Sequence, residues 1–568
     1  MSLQSKRWRV APPVSAKDLA RLPDLPSLIV QLLHNRKIQA PSEARDFLLG
    51  QTPGHSPFEL KGMYPAVERL SEAIGSEELV AVYGDFDTDG VTATALLVQA
   101  LSAAGAQVLP YIPSRVDEGY GLNIEALREL YRQGVRLVVT VDCGIRAIDE
   151  VEQASRGLDL IVTDHHSVGD DLPPALAIIN PKQPGCLYPF KDLSGVGVAY
   201  KLAQGLLLAR ELNGIPAEVT ANDLLDLVAL GTVADLVPLL GENRELVRRG
   251  LEKLRTSPRP GVEALMADAS VRRGAVDATA IGFRLGPRLN AAGRLEHAML
   301  AYNLLTNTDP LETRALAGQL GRLNQHRQEL TEKTVAEAEA QVQAGDPDAY
   351  LYLVASHEFE PGIVGLAASR LTEAHYRPSV VVEVGQEESR GSCRSIPEFH
   401  NTRALDRCQD LLVRHGGHAA AAGFTIETGN LDLLRERLQA IAAEELSGAE
   451  LQPVLEIDQE LPLEEVGWAT HDLLGMLEPT GMGNPQPVLC SPGVEVRDKR
   501  ALGGGKHLKL ALRDGRGAAW DAIWFRQGHL IDQIPGRVDV AYTLDANEWN
   551  HRRQLQLYVQ DLRPASAP

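Results

Sequence analysis

The sequence predicts an α/β protein in which a long helix joins a parallel-sheet domain to a second, smaller α/β domain, followed by a C-terminal OB-type β-barrel. Three patterns indicate this: strand–helix alternation in residues 71–240, an unbroken helical pattern in 311–344, and period-two alternation after 451. The 568 residues suit three to five domains of about 100–200 residues each. With 44% hydrophobic and 23% charged residues, a mainly disordered or fibrous chain is excluded.

The first α/β domain is predicted over residues 71–240, after a polar N-terminal lead at 1–70. Its apolar runs are β-branched, continuous and of strand length, which favours a parallel sheet covered by helices on both faces. The predicted strands are 79–84, 135–141, 158–163 and 175–179, and the predicted helices include 91–105 and 147–157.

A helical linker region is predicted over 241–345 and the second α/β domain over 346–450. The 34 residues from 311 to 344 contain no proline and would form a helix of about 50 Å. Its sparse apolar positions suit a connector between domains better than a core helix. In the second domain, the predicted strands are 350–355, 379–384 and 391–395, and the predicted helices are 364–374 and 431–446.

Residues 451–568 alternate apolar and polar residues in five short segments separated by glycine-rich turns, which is typical of an OB-type barrel. Aromatic and basic residues are interleaved there, a combination that suits sequence-tolerant binding of single strands. The alternative is that the tryptophans form the barrel core, and burial is favoured for Trp524. The residues concerned are Trp520, Trp524, Lys506, Lys509 and Arg513.

Charge and cysteine content limit the function classes only loosely. The net charge of −20 argues against nucleic-acid binding, although 12 basic residues face 9 acidic ones from residue 493 onward. No apolar run approaches the 18 or so residues of a membrane span, and the N terminus lacks the apolar core of a secretory signal, so we expect no membrane partner. Five widely spaced cysteines fit a reducing cytoplasm and exclude a zinc ribbon.

Three acids at spacing two, Asp85, Asp87 and Asp89, lie between the first predicted strand and the following helix. Closely placed carboxylates raise one another's pKa unless cations hold them, and oxygen-rich sites suit Mg²⁺, Mn²⁺ or Ca²⁺. The alternative is a solvated Asp-rich turn. An EF-hand is excluded, because Leu96 occupies the position of its glutamate.

Further polar residues end the later strands: Asp142, the run Asp164-His165-His166, and Asp235 after an apolar stretch. Each alone is explained as a turn residue or a core histidine. Together they lie where open α/β sheets bind ligands, beyond the carboxyl ends of the strands. Carboxylates with one or two imidazoles suit a centre of two Mn²⁺ or Mg²⁺ ions, which can share a hydroxide nucleophile and neutralise a phosphoryl transition state.

The motifs GDFDTDG, VDCG, TDHH and GTVADLVP resemble those of the DHH phosphoesterase superfamily. Later motifs are similar to those of the RecJ-type single-stranded-DNA exonucleases, in family order from about residue 70 to the C terminus. They are IPSRVDEGYGL, NPKQPGCLYPFKDLSGVGVAYKL, GPRLNAAGRL, HEFEPGIVGLAASRL, GSCRSIPEFH, GGHAAAAGF and LEPTGMGNPQP. The resemblance implies a 5′→3′ exonuclease that releases 5′-mononucleotides from single-stranded DNA in recombination and repair.

The same resemblance implies roles for individual residues. His166 is expected to face the scissile phosphate as an orienting or acid group, and His165 to bind metal as a neutral imidazole. The implied catalytic residues are His166, Asp142 and Asp89. The implied ligands of the two ions are Asp85, Asp87, Asp89, Asp142, His165 and Asp235.

A pocket for the 5′-terminal phosphate is implied at Arg115, Ser392 and Arg394, since arginine offers a planar fork to phosphate oxygens and serine a hydroxyl donor. Surface ion pairs are the alternative for both arginines. His418 is implied to lie near the phosphate. The small residues around it would alternatively serve only close strand packing.

Contacts with the incoming strand are implied at Arg288, Asn290 and Arg294. A helix cap and salt bridges to the acidic body are the alternative. Tyr120 could stack on a base or pack beneath its own glycine-rich loop.

The implied partners are single-stranded DNA, a single-strand-binding protein and a RecQ-type helicase. No phosphate loop of the G-x-x-x-x-G-K-[ST] type is present, so we expect no nucleotide-driven motor. Two other functions remain open from the residues: a phosphodiesterase for short oligonucleotides or cyclic dinucleotides, and a non-catalytic replication scaffold. The retained acids argue against the scaffold, and the C-terminal barrel argues against a very small substrate.

Overall fold

The computed structural model describes residues 6–50, 54–115, 118–119, 121–549 and 552–565. They form two compact units, which are described separately below. One unit comprises 55–235 and 249–451, and the other combines the segment up to 54 with 236–248 and the residues from 452 onward. Within the described residues, no helix combines the length and the apolar character needed to cross a membrane.

The strands are β1 (Arg7–Val10), β2 (Leu79–Gly84), β3 (Gln107–Tyr111), β4 (Leu137–Val141), β5 (Asp159–Thr163), β6 (Ala177–Ile179), β7 (Tyr352–Ser356), β8 (Ser379–Glu383), β9 (Glu388–Arg394), β10 (Leu412–Gly417), β11 (Ala421–Glu427), β12 (Val454–Ile457), β13 (Gln459–Glu460), β14 (Leu489–Leu502), β15 (His507–Arg513), β16 (Ala519–Trp524), β17 (Arg537–Trp549) and β18 (Arg552–Pro564).

The helices are α1 (Ala16–Arg21), α2 (Ser27–Asn35), α3 (Pro41–Leu49), α4 (Met63–Gly75), α5 (Thr88–Ala103), α6 (Ile124–Arg132), α7 (Ile148–Ala154), α8 (Gly195–Leu212), α9 (Leu225–Ala234), α10 (Gly241–Thr256), α11 (Pro260–Asp268), α12 (Ala278–Ala280), α13 (Gly286–Leu295), α14 (Met299–Thr306), α15 (Pro310–Ala344), α16 (Val364–His375), α17 (Asn401–Asp406), α18 (Leu431–Leu446) and α19 (Trp468–Gly475). A π-helical turn, Ile281–Leu285, joins α12 to α13.

The first domain of the larger unit is built on a parallel sheet of order β3-β2-β4-β5-β6, which confirms the predicted fold class. Helices α6 and α7 cover one face, and α5 and α8 pack on the sheet as well. Strand β4 is buried along its whole length, as expected for a strand with helices on both sides. Strand β3 was absent from the sequence prediction, because the proline in QVLPY interrupts its apolar run.

Helix α15 confirms the predicted long connector, with 35 residues. Asp309 caps its N terminus by accepting hydrogen bonds from the N–H groups of Leu311 (2.7 Å) and Glu312 (3.0 Å). Its earlier part packs on α11, α13 and α14, and its later part on α16 and β7. The helix therefore links the first α/β domain to the second.

The second domain has a five-stranded sheet of order β10-β11-β9-β8-β7, in which only the β7–β8 pair is parallel. Strands β7, β8 and β9 and helices α16 and α18 lie where the sequence predicts them. Strands β10 and β11 were missed, because their glycine- and alanine-rich segments carry few of the β-branched residues that signal a strand.

The C-terminal barrel is a separate five-stranded structure of order β14-β15-β16-β18-β17, closed by pairing between β14 and β17. This confirms the predicted OB-type barrel. Trp524 is buried in its core and Trp520 packs against the same core, so both tryptophans follow the burial alternative. Lys509 forms an ion pair with Asp521 (2.7 Å).

The N-terminal segment belongs to the barrel unit. Strand β1 pairs in parallel with β12, and apolar side chains of α2 and α3 share the barrel core. The segment 236–248 belongs to this unit as well. Arg244, buried on it, donates hydrogen bonds to the carbonyls of Leu477 (2.9 Å), Glu478 (2.7 Å) and Pro479 (2.9 Å).

Candidate active site

The candidate site lies at the carboxyl ends of three adjacent parallel strands. Asp85 follows β2, Asp142 follows β4 and Asp164 follows β5, and these strands are neighbours in the sheet. Parallel strands end at the same edge of a sheet, so the three side chains meet there. Asp235, at the C-terminal end of α9, completes the cluster.

The Asp-rich turn is held by its own helix and by the start of α8. Asp87 caps α5, because its Oδ1 accepts hydrogen bonds from the N–H groups of Asp89 (2.9 Å) and Gly90 (3.1 Å). The Asp89 carboxylate accepts hydrogen bonds from the N–H groups of Gly195 (2.7 Å) and Val196 (2.8 Å). Both acids are therefore fixed in place by backbone donors at helix N termini.

Gly195 is required by the approach of Asp142. A Cβ atom at position 195 would lie 2.5 Å from the Asp142 Oδ1 atom, closer than any side chain allows. Asp142 itself has φ +62°, a left-handed conformation that is uncommon outside glycine and costs about 1–3 kcal/mol. The fold thus holds this carboxylate in a strained conformation next to a helix start.

His165 lies at the centre of the cluster. Its Nε2 atom is 3.1 Å from Asp142 Oδ1, 3.6 Å from Asp235 Oδ2 and 4.0 Å from Asp89 Oδ2. Three sets of potential ligand atoms lie within 4.8 Å of one another: Asp89–His165–Asp235, Asp85–Asp87–Asp142, and Asp142–His165–His166. The first two sets share no residue, and the third connects them through Asp142 and His165. The arrangement therefore offers two neighbouring cation positions.

The electrostatics of the cluster fit divalent cations. Within the described residues, four buried atoms that face this cluster have no hydrogen-bond partner: Asp85 Oδ1, Asp142 Oδ1, His165 Nε2 and Asp235 Oδ2. Burial and the neighbouring carboxylates raise the pKa of Asp89 to about 7, of Asp85 to about 8 and of Asp235 to about 9. The same causes raise the pKa of Asp142 well above its usual range. Cations would remove both the repulsion and the missing contacts.

The surroundings shift the pKa values of the two histidines in opposite directions. Burial, together with His166, lowers the pKa of His165 to about 3, which keeps its imidazole neutral as a metal ligand must be. Burial alone would lower the pKa of His166, but the hydrogen bond between its Nδ1 and Asp164 Oδ1 (2.8 Å) raises it. That bond likewise lowers the pKa of Asp164 against the effect of burial. His166 can therefore carry a proton at the site.

Several residues that support the histidines were not assigned a role from the sequence. Asp164 accepts hydrogen bonds from the N–H groups of His165 (2.7 Å) and His166 (3.0 Å) as well as from the His166 ring. Lys182 Nζ donates to the His165 carbonyl (2.7 Å), and Asn180 donates to that of His166 (3.0 Å). The sequence did contain a signal for Asn180 and Lys182, because both lie in the Asn-Pro-Lys run directly after β6.

The second domain contributes a basic pocket. Arg394 donates a hydrogen bond to Ser392 Oγ (3.0 Å), and both side chains lie beside Gly365 in the first turn of α16. Burial lowers the pKa of Arg394. A hydroxyl, a guanidinium and a helix N terminus together form an anion-binding environment.

Arg115 and Arg294 extend the positive charge. Arg115 stacks on Phe86, 4.0 Å from the ring centroid, and its buried Nε atom has no hydrogen-bond partner within the described residues. Burial and nearby guanidiniums, those of Arg115, Arg327 and Arg394 among them, lower the pKa of Arg294 to about 10. Four buried or half-buried arginines so close together repel one another, and a bound anion would offset that repulsion. Arg327, on α15, was missed because one arginine in a charged helix gives no sequence signal.

The structure gives each of the remaining residues predicted to contact substrate a different environment. Arg288 pairs with Asp268 (2.9 Å), which is the salt-bridge alternative. Asn290 Oδ1 accepts a hydrogen bond from the Thr88 N–H (2.8 Å) and so positions the start of α5. Exposed His418 lines a cavity of about 550 Å³ together with His166. Tyr120 lies outside the described residues.

Comparison with known proteins gives matches along the whole chain. The DHH family N-terminal domain matches residues 79–232, the DHHA1 domain 348–444 and the RecJ OB domain 457–561. The single-stranded-DNA-specific exonuclease RecJ of Bacillus subtilis is 39% identical over 99% of this chain and 71% of its own length. The crystal structure of Thermus thermophilus RecJ with Mn²⁺ aligns with a TM-score of 0.83 and 32% identity, over 99% of this chain and 80% of that one. The Mg²⁺ complex aligns with a TM-score of 0.78 and 30% identity, over 99% and 79%.

Proposed function

The chain belongs to the RecJ family of single-stranded-DNA-specific exonucleases, and on that premise we propose that it removes 5′-mononucleotides from single-stranded DNA by two-metal hydrolysis. The observation that carries this proposal is the pair of cation positions formed by Asp85–Asp87–Asp142 and Asp89–His165–Asp235. Bound Mn²⁺ or Mg²⁺ would supply Lewis-acid stabilisation of the charge that develops on the phosphate.

The basic pocket gives the reaction its direction. We assign the 5′-terminal phosphate to Ser392 and Arg394, with Arg115 and Arg294 neutralising the remaining charge. Arginine forks bind phosphate oxygens in two-point contacts and so fix the terminal nucleotide relative to the acids. This anchor supports cleavage at the first linkage and progress in the 5′→3′ direction.

His166 serves the leaving group. Asp164 orients its ring and favours its protonated form. As a water oxygen bonds to the phosphorus and the bond to the 3′ oxygen of the terminal nucleotide breaks, the imidazolium can donate its proton to that leaving oxygen. Its place on the cavity shared with His418 leaves it open toward substrate. Asp142 and Asp89 would act on the reacting phosphate through the cations that they would hold.

Hydrolysis assays test this function directly. The purified chain with Mn²⁺ is given end-labelled single strands, blunt duplex and a dinucleotide. We expect stepwise loss of 5′-nucleotides from single strands, no attack on duplex, and no turnover by Asp142→Ala, which should still bind single strands. Hydrolysis of none of these substrates by the wild type would overturn the nuclease assignment, and cleavage of the dinucleotide alone would favour a small-substrate phosphodiesterase.

We further propose a cytoplasmic enzyme that acts with a single-strand-binding protein and a RecQ-type helicase. We also propose that the domains of the chain extend over 71–240, 346–450 and 451–568. Membership of the RecJ family and the slight excess of basic residues after residue 493 support the two proposed protein partners. Resection of single strands coated with single-strand-binding protein, compared with uncoated strands, measures the first partnership, and inhibition by the coat would contradict it.

A further inference from the structure

Residues 281–295, here called the rim helix, run along the candidate active site from one side to the other. The rim helix consists of the π-helical turn and α13. Near its start, Gly282 faces Val233 in the last turn of α9, two residues before Asp235. Toward its end, the Arg294 side chain donates a hydrogen bond to the Gly362 carbonyl just before α16 (3.1 Å). One end thus lies by a predicted metal ligand and the other by the phosphate pocket.

The π-helical turn has a local cause. Pro287 has no N–H to donate, and in a regular α-helix its ring would collide with the carbonyl four residues earlier, that of Phe283. The chain widens instead, and the Gly286 N–H donates to the carbonyl of Ile281, five residues back. Such turns are uncommon and are frequently found at functional sites.

The widened turn directs Phe283 into solvent. Ile281 and Leu285, on the opposite face of the turn, are completely buried, whereas Phe283 is 80% exposed. A phenylalanine left in water forgoes roughly 1.5–3 kcal/mol of burial. The packing of the rim helix does not use this side chain, which is therefore available to a partner with an apolar face.

The neighbouring arginines are held away from this role. Arg284 donates a hydrogen bond to the Ser270 carbonyl (3.1 Å), and Arg288 is occupied by Asp268 (2.9 Å). Phe283, in contrast, is an exposed aromatic side chain at this end of the rim helix and is available to a base. Arg294 and Phe283 are 11 residues apart, about 16 Å at 1.5 Å per residue.

We propose that Phe283 is a base-stacking residue that holds the single strand a few nucleotides downstream of its anchored 5′ end. This inference rests on the proposed function, since it takes the strand to run from the phosphate pocket across the acids. A distance of about 16 Å corresponds to at most five nucleotides at the stacked rise of 3.4 Å. Stacking on an aromatic ring accepts every base, in keeping with a nuclease indifferent to sequence.

The test compares a 5′-phosphorylated 12-mer with a 5′-phosphorylated dinucleotide, which is too short to reach Phe283. For Phe283→Ala we expect kcat/KM on the 12-mer to fall about 5- to 100-fold, mainly through KM, because one base–aromatic stack is lost. The dinucleotide should be cleaved at the wild-type rate, and Phe283→Trp should restore activity on the 12-mer. Tyr64→Ala, which removes an aromatic ring that is 68% exposed on α4 of the same unit, is the matched control and should leave both rates unchanged.

A set of 12-mers with one abasic nucleotide at positions two to five identifies the contacted base. Removing that base should slow the wild type and leave Phe283→Ala unaffected, since the two changes delete the same interaction. The proposal would be overturned if the abasic nucleotide and Phe283→Ala lowered kcat/KM additively at every position. It would also be overturned if Phe283→Ala lowered kcat/KM equally on the 12-mer and the dinucleotide, because that would show a structural effect on Asp235. If the wild type cleaves no substrate, the proposed nuclease function is overturned. Base stacking is then tested separately by the fluorescence anisotropy of the same labelled strands, which measures binding. Additive losses of affinity on Phe283→Ala and on removal of the base would overturn the stacking.

Discussion

The Nε2 atom of His165 lies 3.1 Å from the Oδ1 atom of Asp142, and within the described residues neither atom has a hydrogen-bond partner. The proximity of two buried polar atoms without a hydrogen bond is unfavourable in the protein alone. A cation that both atoms contact would make it favourable. The first two predictions follow from this relationship.

Asp142→Asn should separate stability from activity. Asparagine is neutral without a bound proton and so removes the cost of holding this carboxyl group among the other acids. The metal-free variant should therefore unfold at a higher temperature than the wild type, by about 1 °C for each kcal/mol gained in a unit of this size. Turnover with Mn²⁺ should fall about 10²- to 10³-fold, because a ligand of the cations is lost. Thermal unfolding in EDTA and in Mn²⁺ measures the first effect, and a variant less stable than the wild type in EDTA would contradict it.

The stability of the metal-free protein should fall as the pH rises. The pKa values of Asp85, Asp89 and Asp235, about 8, 7 and 9 in the folded chain, lie above the usual 3.8. The folded state therefore binds more protons than the unfolded state between about pH 4 and pH 9, and deprotonation across this range destabilises it. Urea unfolding in EDTA at pH 5, 7 and 9 should show a steady decline. Saturating Mn²⁺ should reverse the trend, since the cations need the carboxylates ionised.

Gly195→Ala should displace Asp142, a proposed ligand of the cations, without removing it. The new methyl group would overlap the Asp142 carboxylate, and a misplacement of about 1 Å in a catalytic group can cost on the order of 10²-fold in rate. Gly75→Ala is the control, because a Cβ atom at the end of α4 has no neighbour within 4 Å among the described residues. Equal kcat for Gly195→Ala and wild type would refute the close contact.

Arg394→Ala should act on the 5′ end of the substrate. Loss of one buried guanidinium contact to phosphate, worth about 1.5–3 kcal/mol, should lower kcat/KM for 5′-phosphorylated strands roughly 10- to 100-fold. Strands with a 5′-hydroxyl should be much less affected. Arg407→Ala, which breaks an exposed ion pair with Glu444 in the same domain, serves as the control. Loss of the same factor on both kinds of strand would argue against the phosphate pocket.

Much of the site was predictable because it depends on local patterns. The strands that end at Asp85, Asp142 and Asp164 are continuous apolar runs, and parallel strands bring their carboxyl ends together. The basic pocket was only partly predictable: Arg394 lies in a recognisable motif, whereas Arg327 contributes through tertiary packing of a long helix. Arg288 resembles a DNA contact in sequence, but its ion pair with Asp268 depends on the neighbouring helix α11.

The barrel strands were predictable from their alternation of apolar and polar residues, but the hydrophobic core that they share with the N-terminal helices was not. The apolar faces of α2 and α3 indicate burial without indicating what covers them. Likewise, β10 and β11 owe their strand conformation to pairing with β9 rather than to β-branched residues of their own. Long-range pairing of this kind leaves little trace in local sequence.

The segment from Leu236 to Arg248 leaves the catalytic unit immediately after Asp235 and lies in the barrel unit. During translation, Arg244 emerges from the ribosome after Phe47, whose carbonyl accepts a hydrogen bond from its Nε atom (3.1 Å), but 233 residues before Leu477, whose carbonyl accepts one from its Nη1 atom. The nascent polypeptide can therefore form only part of the native environment of this guanidinium until residues 477–479 have been synthesised. Maturation of the barrel unit is consequently among the last events in biogenesis, and premature termination would yield polypeptides that possess every acid of the candidate active site but lack the completed unit.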